Sequence, residues 1–173
     1  MRTTRRLAAA ASLLLLAVLA AAPARAADAL AKPTDRVILT VTGDIARTNA
    51  PGRAEFDRGM LEALGMHTIA TTTSWTAGKH EFTGPLARAV LQAAGAKGGT
   101  LAFVAINEYK VQIPSQDFEK YPVILALKLD GEYMTVRNKG PLWVIYPRDD
   151  YPELADKAHD AKWIWQVKAI DVR

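Results

Sequence analysis

The side chains best placed for chemistry in this sequence are aromatic, amide and guanidinium groups that gather in predicted loops. They are Thr72, Thr73 and Trp75; Asn107 and Tyr109; Arg137, Asn138 and Lys139 ahead of Gly140-Pro141; and Trp143, Tyr146 and Arg148. Loops on a rigid scaffold carry function more often than strands do. An aromatic face beside an amide and a guanidinium suits a flat, nitrogen-rich heterocycle. The ring stacks, while Asn and Arg meet its donors and acceptors. The plain alternative is that Trp143, Trp163 and Trp165 pack a core or a sheet edge, with Trp163 and Trp165 on opposite faces of one strand.

Other chemistries find little support. With 0 Cys there is no disulfide framework, no thiolate ligand and no cysteine nucleophile. His67, His80 and His159 are the three histidines, and none has a partner at metal-motif spacing. His67 reads as a packed strand histidine. Ser74 and Ser115 have turn or cap explanations, and no Gly-x-Ser-x-Gly occurs. The Asp149-Asp150 pair reads as a solvated turn, because adjacency does not give the cleft-spanning separation of a glycosidase pair. No catalytic residue and no metal ligand is assigned.

The elements that must position these loops follow from periodicity. Arg36–Gly43 is β-branched and alternating, a strand. Arg53–Leu64 sets Phe56, Met60, Leu61 and Leu64 on one helical stripe, with Gly65 as its stop. Met66–Thr73 is a Thr-rich strand, Ser74–Gly84 a loop, and Pro85–Ala94 a helix with Pro85 in its first turn and Gly95 after it. Strands are expected at Leu101–Ile106 and Tyr109–Ile113, and a helical turn at Ser115–Tyr121 with Ser115 as N-cap. Asp130-Gly131 marks a hairpin between Pro122–Leu129 and Glu132–Val136, since that pair tolerates the positive φ of a tight primed turn. Leu142–Tyr146 is a strand, Pro152–Asp160 a short surface helix, and Trp163–Val172 the closing strand. The sum is an α+β fold, one mixed-sheet domain over residues 36–173, without repeats or a dividing linker.

Ahead of this domain, Arg2, Arg5 and Arg6 precede an apolar run from Leu7 to Ala22, followed by Pro23 and Ala24-Arg25-Ala26. That is the layout of a secretory signal peptide over residues 1–26, cleaved after Ala26. The run falls short of the roughly 20 residues needed to cross a bilayer. The mature protein is therefore expected in the periplasm or secreted, not embedded in a membrane, with residues 27–35 as a flexible lead-in. The whole chain carries a net charge of +4. All of that excess comes from the four arginines of the signal. The mature chain is formally neutral, and no electrostatic case for nucleic acid remains.

In order and spacing, the segments resemble the molybdopterin-binding oxidoreductase domain of the sulfite-oxidase fold. The matching stretches are Phe82-Thr-Gly-Pro-Leu86 with an Ala-rich helix and Gly95; Asn107-Glu-Tyr109 with Ile113-Pro114; Pro122-Val-Ile-Leu-Ala126 with Asp130-Gly131; Lys139-Gly-Pro-Leu-Trp143 with Tyr146-Pro147; and Lys162-Trp163. Together they cover residues 35–172. One departure is decisive. The resemblance implies a molybdenum-binding cysteine in the segment Thr68–Trp75, and this chain has Thr and Ser there instead. A hydroxyl is a poor substitute for a soft thiolate.

The chain is most similar to small, exported, cysteine-less members of that family. What they imply is a non-catalytic protein that binds a free tetrahydropterin-like ligand rather than molybdopterin. They also imply a partner, the periplasmic part of a membrane signalling enzyme that makes or degrades cyclic di-GMP. On that reading Arg137 and Asn107 hydrogen-bond the ring or its tail, and Trp75 or Tyr109 stacks. Lys139 and Lys162 meet phosphate or hydroxyl groups, and Thr73 and Trp143 complete the ligand set. Two alternatives stand beside it: a molybdopterin-dependent oxidoreductase domain or subunit, and an interaction scaffold with a vestigial pocket.

Overall fold

In the computed structural model, which describes residues 29–173, the first and last strands lie side by side. Strand β1 (Val37–Gly43) pairs in parallel with β11 (Val167–Val172), and both are flanked by antiparallel neighbours. The sheet runs β2-β1-β11-β5-β6, with β2 at Ala54–Asp57, β5 at Thr100–Ala105 and β6 at Lys110–Pro114. Leu39, Val41, Leu101, Phe103, Val167 and Ile170 are fully buried in it. The i, i+2 spacing of Leu39 and Val41 and of Leu101 and Phe103 is the period-2 signal of a sheet with one face on a core, and a register shift between Val167 and Ala169 interrupts it in β11. The lead-in residues form no regular element but are held. Asp57 accepts the Thr34 and Asp35 backbone N–H groups at 2.7 and 3.0 Å, and Asn49 donates to the Ala31 carbonyl at 2.7 Å.

A second sheet runs β3-β4-β8-β9, with β3 at Met66–Thr72, β4 at Lys79–Pro85, β8 at Lys128–Leu129 and β9 at Glu132–Tyr133. Strands β7 (Ile124–Ala126) and β10 (Trp143–Ile145) form a separate pair in which every residue is buried. Gly84 of β4 lies against this pair. A Cβ there would sit 2.0 Å from the Leu125 carbonyl oxygen, so only glycine permits that approach. The Asp130-Gly131 turn is as expected, with φ of 50° and 85°.

Several elements depart from the periodicity. The stripe read as one helix over Arg53–Leu64 is a strand followed by a short helix, α1 (Arg58–Ala63). Asp57 divides them, because its carboxylate caps the Met60 N–H at 2.8 Å. Residues 79–84, read as loop, belong to β4, which is paired on both sides. Phe82 and Gly84 face the core there, and its polar residues face solvent. Pro85 therefore ends a strand, and α2 (Ala87–Ala94) begins after Leu86, its first N–H taken by the Val123 carbonyl at 2.9 Å. Gly95 ends α2 at φ 66°, as expected.

Ser115 precedes α3 (Gln116–Lys120) but makes no side-chain cap bond. The expected strand Pro122–Leu129 is split between two sheets. The segment 152–160 forms two 3₁₀ pieces, Pro152–Ala155 and Lys157–Lys162, separated by Asp156. Strand β11 starts only at Val167, because Gln166 is at φ 55°. No described helix is long and apolar enough to cross a membrane. The signal peptide expected over residues 1–26 lies outside the described residues.

Candidate functional site

The two sheets converge at one end of the molecule on a cleft of about 390 Å³. That volume lies within the roughly 300–1,000 Å³ of small-molecule sites. Three segments line it. The β5–β6 turn brings Ala105, Asn107 and Tyr109. The approach to β11 brings Asp160, Ala161, Trp163, Ile164 and Trp165. The β3–β4 loop brings Trp75. A second cleft, of about 340 Å³, lies between Ile38, Met134, Val136 and Pro141, and no aromatic side chain lines it.

The Trp75 loop is fastened at several points. At its base, Asp149 accepts the Thr72 hydroxyl at 2.7 Å and the Lys79 ammonium at 3.2 Å. Asp149 of the acidic pair is thus a structural anchor. Within the loop, the Thr73 hydroxyl accepts the Trp75 N–H at 3.0 Å and pairs with Thr76 at 2.8 Å. At its far end His80 holds the Ala77 carbonyl at 2.9 Å and Asp130 at 2.7 Å. Both of those partners only accept, so the imidazole satisfies them together only when doubly protonated. The hydrogen bond to Asp130, then that to Ala77, raises the His80 pKa above its ordinary value.

Trp75 lies 6.2 Å from Trp163 and 5.6 Å from Trp165, ring centre to ring centre. Trp143 is fully buried beneath them and donates its indole N–H to the Trp163 carbonyl at 2.9 Å. The Trp163 indole N–H is buried without an acceptor. An unmet buried donor costs about 1–3 kcal/mol. On the turn, Asn107 accepts the Tyr109 N–H at 3.1 Å, while Tyr109 is 52% exposed at the mouth.

Of the residues singled out in the sequence, Trp75, Asn107 and Tyr109 come together at the cleft. Lys139 adjoins its wall, with Nζ 5.9 Å from the Trp165 ring centre and 5.3 Å from that of Trp143. The others lie elsewhere. Thr73 shapes the loop from beneath. Trp143 belongs to the core, as the packing alternative held. Arg137 sits exposed in a 3₁₀ turn, Val136–Asn138, outside the cleft lining.

Lys162 is drawn away to Asp117 at 2.7 Å, where the Tyr146 hydroxyl also donates at 2.8 Å. Burial, then the Asp117 charge, holds the Tyr146 phenol well above its ordinary pKa, so it remains a neutral donor. His67 is exposed on β3 rather than packed. Sequence reasoning missed Asp160, Ile164 and Trp165. The Trp-x-Trp pair was the available signal, but a strand reading put one ring on each face. The irregular backbone at 163–166 instead turns both toward the cleft.

A family model described as the oxidoreductase molybdopterin binding domain matches residues 52–172. The chain belongs to this family. The sulfane dehydrogenase SoxCD from Paracoccus pantotrophus, in its crystal structure, superposes with a TM-score of 0.58 at 17% sequence identity, covering 78% of this chain. The match spans 37% of the SoxCD chain, and at that identity it establishes the shared fold. No curated protein matches the sequence.

Molybdopterin is a pterin whose dithiolene sulfurs bind the metal, and the pterin and the metal fare differently against this domain's residues. The Trp walls and Asn107 fit a planar heterocycle. The donor set does not fit a thiolate-bound molybdenum. The sequence has 0 Cys, and the hydroxyls of Thr72, Thr73 and Ser74 are already engaged within the protein. Among the described residues no three His, Asp or Glu side chains gather as a ligand set.

Proposed function

We propose that this protein is an exported, non-catalytic pterin-binding domain, and that it acts as a ligand sensor for a membrane-bound signalling enzyme acting on cyclic di-GMP. One observation carries the reading: a cleft walled by Trp75, Trp163 and Trp165 in a molybdopterin-binding family member without cysteine. The pterin half of the cofactor has a surface to stack on. The protein offers no thiolate to the metal half. Signalling requires that the ligand bind two protein states unequally. The Trp75 loop, which joins the cleft wall to the exposed β3–β4 edge, is the element placed to differ between them.

The test is titration of the mature protein with a tetrahydropterin, followed by tryptophan fluorescence and calorimetry. Saturable quenching that is lost in Trp75→Ala supports the reading, and no heat or quenching at millimolar ligand refutes it. The family membership itself favours a second reading, an oxidoreductase domain or subunit carrying intact molybdopterin. Elemental analysis of protein from its native compartment separates the two, because stoichiometric molybdenum or tungsten belongs only to the second.

A further inference from the structure

The cleft contains one charged side chain, and it is an acid. Among the described residues that line it, Asp160 is the sole ionisable group apart from the Tyr109 phenol, and no Lys, Arg or His is present. The carboxylate is held in place. The Ser74 hydroxyl lies 3.1 and 3.0 Å from its two oxygens. Ser74 in turn accepts from Arg148 at 2.9 Å, and Arg148 is anchored on the Ala155 carbonyl at 3.2 Å. An ionised carboxylate offers about four acceptor sites, so a single hydroxyl leaves most of them free.

From this we infer that Asp160 is the specificity residue of the cleft. It accepts two adjacent N–H groups from the edge of a neutral heterocycle. The inference rests on the pterin reading above and sharpens it. A 2-amino-4-oxopteridine presents an amino group and a ring N–H side by side, and a carboxylate meets that pair with two parallel, charge-assisted hydrogen bonds. A 2,4-dioxopteridine has a carbonyl in place of the amino group. That oxygen would face the carboxylate, which only accepts. A site built around a hydrogen-bonding edge rejects analogues that lack it far more strongly than an apolar pocket rejects a change of size.

The experiment compares pterin (2-amino-4-oxopteridine) with lumazine (2,4-dioxopteridine) by tryptophan quenching, on the wild-type mature protein and on Asp160→Asn. The wild type should bind pterin about tenfold to a hundredfold more tightly than lumazine, the worth of a charge-assisted hydrogen bond. Asp160→Asn should lose that preference. Equal binding of the two by the wild type overturns the role of Asp160 and leaves the pterin reading standing. An undiminished preference in a folded Asp160→Asn protein also overturns it. Failure of the wild type to bind pterin, lumazine or a tetrahydropterin removes the pterin reading, and this inference with it, whereas binding of the tetrahydropterin alone overturns only the inference. Circular dichroism of the variant separates lost folding from lost recognition, and the wild-type comparison needs no variant at all.

Discussion

Ser74 and Asp160 are 86 positions apart, and the Ser74 hydroxyl lies 3.1 and 3.0 Å from the two carboxylate oxygens. This contact joins the β3–β4 loop to the second 3₁₀ piece, so that Trp75 and Trp163 meet across the cleft. The same hydroxyl takes the Arg148 guanidinium at 2.9 Å. A three-residue relay thus closes the back of the site.

Replacing Ser74 with Ala breaks both contacts without creating a void. An exposed hydrogen bond of this kind contributes about 0.5–1.5 kcal/mol. The melting temperature should therefore change little. The loop itself should open more often, because local stability is set by few contacts. Hydrogen exchange at residues 73–78 should accelerate in Ser74→Ala while the β1–β11 amides stay protected. Unchanged exchange at 73–78 would show that Thr73 and His80 hold the loop alone.

His80 gives the loop a pH dependence. Its folded-state pKa lies above the ordinary 6.5. The contribution it makes is therefore complete below that ordinary value and declines as pH rises through the raised one. Above that range the neutral ring keeps only one of its contacts, to Asp130 or to Ala77. Asp130 has the opposite dependence. Its pKa is lowered by His80 first and the Glu81 N–H second, so its share is lost as pH falls through the depressed value. Protection of the 73–78 amides should be greatest at mildly acidic pH and weaker at alkaline pH. His80→Gln should flatten that profile, and a variant with the wild-type profile would contradict the coupling.

Gly84→Ala places a Cβ 2.0 Å from the Leu125 carbonyl and 2.8 Å from the Ala126 Cα. Both are backbone, so neither can step aside without parting β4 from β7. Overpacking of this kind costs about 1–3 kcal/mol or more. A denaturant midpoint within error of the wild type would show that β4 does not approach β7 so closely.

Asp57→Ala removes the α1 cap and the two backbone donors of the lead-in at once. Capping losses alone run to about 0.5–2 kcal/mol. The Asp57 pKa is depressed, by the Met60 N–H above all. Its stabilisation is present above the ordinary value of 3.8 and lost as pH falls. Urea denaturation should show a deficit in Asp57→Ala at neutral pH that shrinks at low pH. A deficit independent of pH would remove the carboxylate from the explanation.

Much of the fold was legible because β1 alternates cleanly, because β5 and β10 are short apolar runs bounded by turn residues, and because Asp130-Gly131 and Gly95 punctuate unambiguously. The β2–α1 boundary was not legible. Ala54 and Phe56 fit a strand while Phe56, Met60 and Leu64 fit a helix, and only the long-range pairing with β1 decides between them. Strand β4 was hidden for a similar reason, since its polar face looks like loop until β3 and β8 supply partners. At the site, Trp75, Asn107 and Tyr109 were legible as aromatic and amide residues in loops. Lys162 was misplaced because a local reading cannot foresee Asp117, and Asp160 was missed because a lone acid in a polar segment looks like surface.

The central claim is that the tryptophan-walled cleft binds a pterin without molybdenum. Calorimetric titration of metal-free, signal-cleaved protein with a tetrahydropterin tests it most directly. The account predicts one site per chain with a Kd in the micromolar range, about −8 kcal/mol, and loss of the heat in Trp75→Ala. No heat from the metal-free protein, with binding restored only when molybdenum accompanies the pterin, would contradict it.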